Sequence, residues 1–87
     1  MAVVFIPALM RDLTAGATKI DIPGKTLLEV IRQMEARFPG IQERLLQDGD
    51  LRPDLVIAVD GEEALSGLME RVQETSEVHF IPPISGG

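Results

Sequence analysis

The feature that most constrains this chain is a single amphipathic segment with clear start and stop signals. Thr26 and Glu29 form a Thr-x-x-Glu capping box directly before an apolar run. Apolar side chains then recur at the spacing of one helical face, at Leu27, Ile31, Met34 and Phe38. Pro39 and Gly40 end the helix. A helix with one apolar stripe buries that stripe against another element, so we interpret it as a core-packing face rather than a ligand site.

Segments rich in β-branched or alternating residues surround this helix and predict strands. They are Val3–Ile6, Lys19–Ile22, Leu55–Val59, the short Glu63–Leu65 and Val78–Ile81. Ile41–Leu46 and Gly67–Val72 are expected as helical turns, and Asp48-Gly49-Asp50 as a polar loop. A helix that follows a hairpin can pack across one face of a mixed sheet. We therefore predict an α+β domain of the β-grasp, ubiquitin-like kind, with about five strands and one main helix across one face.

Composition excludes several classes of function. The chain has 87 residues, which predicts one domain, and its net charge of −6 argues against nucleic-acid binding, which needs clustered Lys and Arg. The absence of cysteine excludes disulfides, thiolate catalysis and zinc–cysteine sites. The single histidine, His79, leaves little from which to build a transition-metal site, so we expect no metal.

The sequence also argues against a membrane protein and against an enzyme in its own right. It has no run of about 18 apolar residues, and its first residues lack the basic region of a signal peptide. We expect a cytoplasmic protein that is monomeric when free. Asp60, Glu62 and Glu63 are clustered, but they flank a tight turn where carboxylates are usually solvated, and no nucleophile accompanies them.

The predicted last strand runs directly into a short tail. Pro82 and Pro83 are followed by Ile84-Ser85-Gly86-Gly87, so we predict a domain of residues 1–81 and a flexible tail of residues 82–87. Glycine has no Cβ and fits channels too narrow for other residues, and the proline pair stiffens the start of the tail. An extended tail of this length reaches at most about 20 Å. It is either a frayed terminus or a way to present a reacting carboxylate.

Several stretches, in the right order, carry a family resemblance over nearly the whole length. They are Ile6-Pro7-Ala8-Leu9-Met10-Arg11, Gly24-Lys25-Thr26-Leu27, Pro39-Gly40-Ile41 with Glu43-Arg44-Leu45, and Phe80-Ile81-Pro82-Pro83-Ile84-Ser85-Gly86-Gly87. The terminal Pro-Pro-x-x-Gly-Gly directly after the last strand is the most specific of them. In these residues the chain resembles the MoaD/ThiS family of ubiquitin-like sulfur carrier proteins.

The resemblance implies a function for the tail. A MoeB/ThiF-type (E1-like) enzyme would use ATP and Mg²⁺ to adenylate the Gly87 carboxylate, and sulfur from a donor would then displace AMP to leave a thiocarboxylate. The carrier itself would bind no cofactor and would act as a co-substrate rather than a catalyst. Ile84, Ser85 and Gly86 would thread into the partner's active site.

The resemblance also implies a docking surface at the base of the tail. We expect it to include Ile81, Phe80, Pro82, Pro83 and Arg11. Ile81 and Phe80 lie on opposite faces of the predicted last strand, so one of them faces out beside the tail. The Arg11 guanidinium has two interpretations: a pair with a carboxylate of the partner, or an internal salt bridge to an acidic neighbour.

The acceptor of the sulfur is left open between branches of the family. We favour carriers for cysteine synthesis, whose acceptor is a cysteine synthase-like enzyme; the stretches more similar to them are Ile6-Pro7, Pro39-Gly40-Ile41 and Glu43-Arg44-Leu45. The Pro82-Pro83 pair is more similar to the small subunit of molybdopterin synthase, whose partner is the large subunit. A carrier for thiazole synthesis is a third branch. Two further classes are a ubiquitin-like modifier conjugated to lysines and a passive module that binds through its sheet edge.

Overall fold

A five-stranded mixed sheet with one long helix across one face forms the body of the protein. The computed structural model describes residues 1–81, apart from the side chain of Leu9. The strands are β1 (Ala2–Phe5), β2 (Lys19–Ile22), β3 (Leu46–Gln47), β4 (Asp50–Leu51), β5 (Val56–Val59), β6 (Glu62–Glu63) and β7 (Glu77–Ile81), and the helices are α1 (Leu27–Arg37) and α2 (Ile41–Leu45). The order across the large sheet is β2-β1-β7-β5-β6. β1 and β7 run parallel, and the other neighbours are antiparallel.

This architecture is the predicted β-grasp fold, with small differences at the ends of elements. The first strand is Ala2–Phe5 rather than Val3–Ile6, although the amide of Ile6 still donates to the carbonyl of Thr18 at 2.8 Å. In the segment predicted as a polar loop, Asp48 and Gly49 form the turn of a small β3–β4 hairpin, and Asp50 begins β4. Gly67–Met69 forms a 3₁₀ turn, shorter than the predicted segment. Ends of elements shift in this way because they are decided by tertiary hydrogen bonds rather than by local pattern.

Helix α1 begins as the capping box predicts. The Glu29 amide donates to Thr26 Oγ1 at 3.3 Å, and the Glu29 carboxylate accepts from the Lys25 amide at 3.2 Å. The Glu29 side chain thus bonds the amide one residue before the Thr26 cap, and so it satisfies another amide at the start of the helix. The helix ends at Arg37, after which Gly40 adopts a left-handed φ of 101° and leads directly into α2.

The core lies between α1 and the inner face of the sheet. The strands contribute alternate side chains, at Ala2, Val4, Ile20, Ile22, Ile57, Val59, Val78 and Phe80. The helices contribute Leu27, Val30, Ile31, Met34, Ile41 and Leu45. Period-two alternation in strands and a period near 3.6 in the helix bring these residues to one layer, which confirms that the helical stripe is core.

Two carboxylates accept hydrogen bonds that stabilise the turn after β5 and the start of α2. Asp60, in the turn after β5, accepts from the Glu77 amide at 2.9 Å and from the buried Ser76 hydroxyl at 2.8 Å. Glu35 accepts from the amides of Gly40 and Gln42 at the start of α2. The Glu77 amide and then the Ser76 hydroxyl lower the pKa of Asp60, and the Gln42 and then the Gly40 amide lower the pKa of Glu35.

These two carboxylates predict a specific loss of stability in acid. A lowered pKa in the folded state stabilises the protein above the ordinary carboxyl values, near pH 4, and that contribution disappears as pH falls through the lowered values. In Asp60→Asn and Glu35→Gln, urea unfolding should show lower stability than wild type at pH 7 and a smaller difference below about pH 3. Asp54→Asn, at an exposed carboxylate that accepts no hydrogen bond in the described range, serves as the control. A constant offset at every pH would contradict the role of these charges.

Gly24 lies in the connection from β2 to α1, and we expect its substitution to lower the stability of the fold. A Cβ at this position would lie 2.8 Å from Val30 Cγ2 and 2.9 Å from the Val30 amide nitrogen. Because the obstacle includes backbone, Gly24→Ala should lower the free energy of unfolding by about 2–4 kcal/mol. Gly49→Ala is the matched control: Gly24 and Gly49 both have positive φ, +156° and +82°, but nothing lies within 4 Å of a Cβ built at Gly49. Urea denaturation should show the larger loss at Gly24, and equal losses would contradict the steric account.

Candidate functional site

The described part of the chain ends at Ile81, in the middle of the sheet. Strand β7 pairs with β1 on one side and with β5 on the other. The predicted tail residues Pro82, Pro83, Ile84, Ser85, Gly86 and Gly87 lie outside the described residues. Ile81 is therefore held by its pairing with Val56 of β5, at the end of a strand whose earlier residues also pair with β1.

Apolar and aromatic side chains cover the sheet face turned away from α1 at this end. Val56 and Ile81 are register partners, and they are 40% and 49% exposed. Next to them, Phe5 stacks on His79 with a ring-centroid distance of 4.1 Å and an interplanar angle of 8°. We call these four residues the open-face patch. Exposed apolar side chains on neighbouring strands are a common basis for protein docking.

Phe80 and Ile81 divide between the two faces of the sheet. Phe80 is only 4% exposed and belongs to the core, whereas Ile81 points to the open face. The expectation that Phe80 is part of the docking surface is therefore wrong, because alternation along β7 turns its ring toward α1. Ile81 lies in the open-face patch, as expected of a residue at the base of the tail.

Arg11 forms no internal salt bridge in the described structure, which was one of its two predicted interpretations. Its Nε donates a hydrogen bond to the carbonyl oxygen of Ile6 at 3.1 Å, and the side chain is half-buried. Neither ion pair in the described part of the chain includes Arg11. The guanidinium thus stabilises the turn that follows β1, the strand that contains Phe5. Its contact with a partner stays a prediction.

The acidic cluster at the β5–β6 turn has a structural use. The Asp60 carboxylate is occupied by the Ser76 hydroxyl and the Glu77 amide, while Glu62 and Glu63 are exposed on β6. Within residues 1–81 no group of three or more His, Cys, Asp and Glu side chains is arranged to hold a metal ion. No helix in that range has both the length and the apolar character to cross a membrane.

Two features of the open-face patch were missed from the sequence. The stacking of Phe5 on His79 and the pairing of Val56 with Ile81 both depend on which strands are neighbours and in what register. Alternation alone places His79 and Ile81 on one face of β7, and this was the available signal. The residues that meet them across the sheet are decided by tertiary pairing.

Comparison with known proteins assigns nearly the whole length of the chain to one protein family. The ThiS family model matches residues 4–87. The chain is 33% identical over 89 residues to the sulfur carrier protein CysO of Mycobacterium tuberculosis, with 97% of this chain and 96% of that protein covered. It is 31% identical to small archaeal modifier protein 3 of Haloferax volcanii, with 71% of this chain and 70% of that protein covered.

A solved structure supports the same grouping. A chain in the crystal structure of the Amycolatopsis orientalis BexX/CysO complex superposes on this one with a TM-score of 0.95 at 29% identity, with 100% of both chains covered. The similarity therefore extends over the complete fold, including the order of strands and the placement of α1.

The division between Phe80 and Ile81 predicts stability losses of very different size when each side chain is truncated. Phe80→Ala should lower the free energy of unfolding by about 3–5 kcal/mol, because it leaves a cavity in the core. Ile81→Ser should change it by about 0.5 kcal/mol or less, because the side chain is already half in solvent. Thermal and urea unfolding of the two variants measure this directly. A large loss in Ile81→Ser would show that Ile81 is needed for the fold rather than presented for docking.

Proposed function

The chain belongs to the ThiS family of ubiquitin-like sulfur carriers, and we propose that the carboxylate of Gly87 is the group that it carries into the reaction. The observation that supports this most directly is that the family match continues through residue 87, so it includes the Gly-Gly end. A domain that anchors its last strand on both sides gives such a tail a rigid base.

The chemistry follows from the weak electrophilicity of a carboxylate. A carboxylate oxygen of Gly87 attacks the α-phosphorus of ATP on the activating enzyme, and pyrophosphate leaves. A hydrosulfide ion then attacks the carbonyl carbon, the C–O bond to AMP breaks, AMP leaves, and loss of the sulfur-bound proton gives the thiocarboxylate. The Gly87 Cα carries only hydrogens, so the nucleophile approaches without steric hindrance. ATP and Mg²⁺ belong to the activating enzyme, and the carrier supplies only the tail and the docking surface.

The open-face patch is the surface we assign to the activating enzyme, of the MoeB/ThiF type. It combines two exposed aliphatic side chains with a flat aromatic stack, directly beside the start of the tail. Docking there orients the tail toward a recessed active site while the domain stays outside. The net charge of −6 would steer the carrier toward a basic surface around that site.

For the acceptor, we favour an enzyme of the cysteine synthase type. The relative named sulfur carrier protein CysO covers nearly the whole chain, and the sequence resemblance indicates the same branch. The large subunit of molybdopterin synthase is the alternative acceptor. We propose that the protein acts in the cytoplasm.

A second candidate function is protein modification. The relative named small archaeal modifier protein 3 supports it at 31% identity. In this case a lysine amine, rather than sulfur, attacks the Gly87 carbonyl carbon, AMP leaves, and an isopeptide bond forms. The two functions share the adenylate and differ only in the nucleophile, so the products of activation distinguish them.

The absence of cysteine allows a direct test of the carrier function. We expect incubation with the cognate activating enzyme, ATP, Mg²⁺ and sulfide to create one thiol-reactive group, which alkylation and mass spectrometry should map to Gly87. Alkylation is needed because the mass change of oxygen-to-sulfur exchange nearly equals that of methionine oxidation, and the chain has four methionines.

The matched control is a variant with one alanine added after Gly87. It should unfold like wild type but give no alkylated product, because its terminal carboxylate is displaced and flanked by a methyl group. Labelling of this variant at the wild-type level would contradict the proposal. Adducts of higher mass that survive reducing denaturation, in place of the alkylated species, would support protein modification instead.

A further inference from the structure

A second exposed apolar surface lies on the helix side of the molecule, in the segment that connects β6 to β7. Leu65 and Met69 are 85% and 67% exposed, more than either aliphatic residue of the open-face patch. Together with the half-buried Leu28 and Leu68 they line an open cleft of about 680 Å³. We call these four residues the connector patch. The segment packs against α1 and β4, whereas the open-face patch lies on the sheet face turned away from α1.

The connector patch is held in place by its backbone. Within the segment, the Ser66 amide donates to the Glu70 carboxylate at 3.1 Å, and the Glu70 amide donates to the Gly67 carbonyl at 3.0 Å. Beyond it, the Leu27 amide donates to the Glu70 carbonyl at 3.1 Å. The exposed side chains therefore project from a fixed loop, which lowers the entropy lost when a partner covers them.

The rim of the cleft is negatively charged. Asp48 and Asp50 line it alongside the apolar residues, and no cationic side chain is among its described lining residues. Neither carboxylate takes part in the ion pairs found within residues 1–81. A ligand that fits this surface has apolar side chains for the floor and cationic side chains for the rim.

We propose that the connector patch docks an amphipathic, cationic helix of another protein. Such a helix presents apolar side chains at spacings of three and four residues, which suit a shallow apolar cleft, and Lys or Arg beside them would meet Asp48 and Asp50. Methionine adapts its shape to the partner it contacts, which suits the exposed Met69 to this role. The proposal does not depend on the chemistry of Gly87, and it leaves the open face and the tail available to an enzyme at the same time.

The test uses a synthetic amphipathic helical peptide of Leu and Lys, titrated into ¹⁵N-labelled full-length protein. We expect amide shifts concentrated at residues 28, 48–50 and 65–69, and binding that weakens as salt is added. A peptide of the same composition with a scrambled order should bind at least about tenfold more weakly, since it has no continuous apolar face.

Variants assign the binding to the connector patch. Leu65→Ser with Met69→Ser should weaken peptide binding about tenfold or more and leave the fold intact, because both side chains are exposed. Val56→Ser with Ile81→Ser, the matched pair on the open face, should bind the peptide like wild type. The Leu65/Met69 double variant should also be adenylated normally, which separates this proposal from the proposed function.

Three results would overturn the proposal. Shifts spread over the whole acidic surface would show charge attraction alone, and shifts confined to the open face would assign the peptide to the other patch. Concentration-dependent sedimentation of the wild type that the Leu65/Met69 double variant abolishes would show that a second copy of this chain covers the connector patch.

Discussion

The two-sided pairing of β7 is the interaction on which the rest of the molecule depends. This strand comes last among the elements of residues 1–81, yet it lies between β1, the first strand, and β5. Its parallel pairing with β1 joins the two ends of the described chain, and its antiparallel pairing with β5 ties in the second half. Without β7 the sheet would separate into two hairpins, and α1 would have no continuous surface to cover.

The same strand separates stability from recognition. Alternation sends Val78 and Phe80 into the core and leaves His79 and Ile81 on the open face. Asp60 fixes the start of this strand through the Glu77 amide, so the register that decides which residues face outward is held at its first residue. A slip by one residue would exchange the core face for the proposed docking surface, and the hydrogen bond from the Glu77 amide to Asp60 opposes such a slip.

Local pattern was sufficient for most of the fold and insufficient for the details of the surface. Three local patterns were enough to predict the fold class: the capping box at Thr26, the helical stripe and the alternation of the main strands. Each is a short-range signal that tertiary contacts reinforce. The β3–β4 hairpin was missed because strands of two residues carry almost no periodicity. The bond from Arg11 to the Ile6 carbonyl and the stacking of Phe5 on His79 were missed because they depend on geometry between elements.

The small size of the open-face patch has a consequence for a carrier that must visit more than one enzyme. Val56 and Ile81 are already partly buried, so covering them completely contributes at most about 1–2 kcal/mol each. Association of two proteins costs at least about 4 kcal/mol before any contact is counted, so these two aliphatic side chains by themselves cannot hold a long-lived complex. Under the proposed function, we expect the tail in the partner's active site to contribute to the remaining affinity. The strength of binding then depends on the chemical state of Gly87, and a carrier whose tail no longer fits is released.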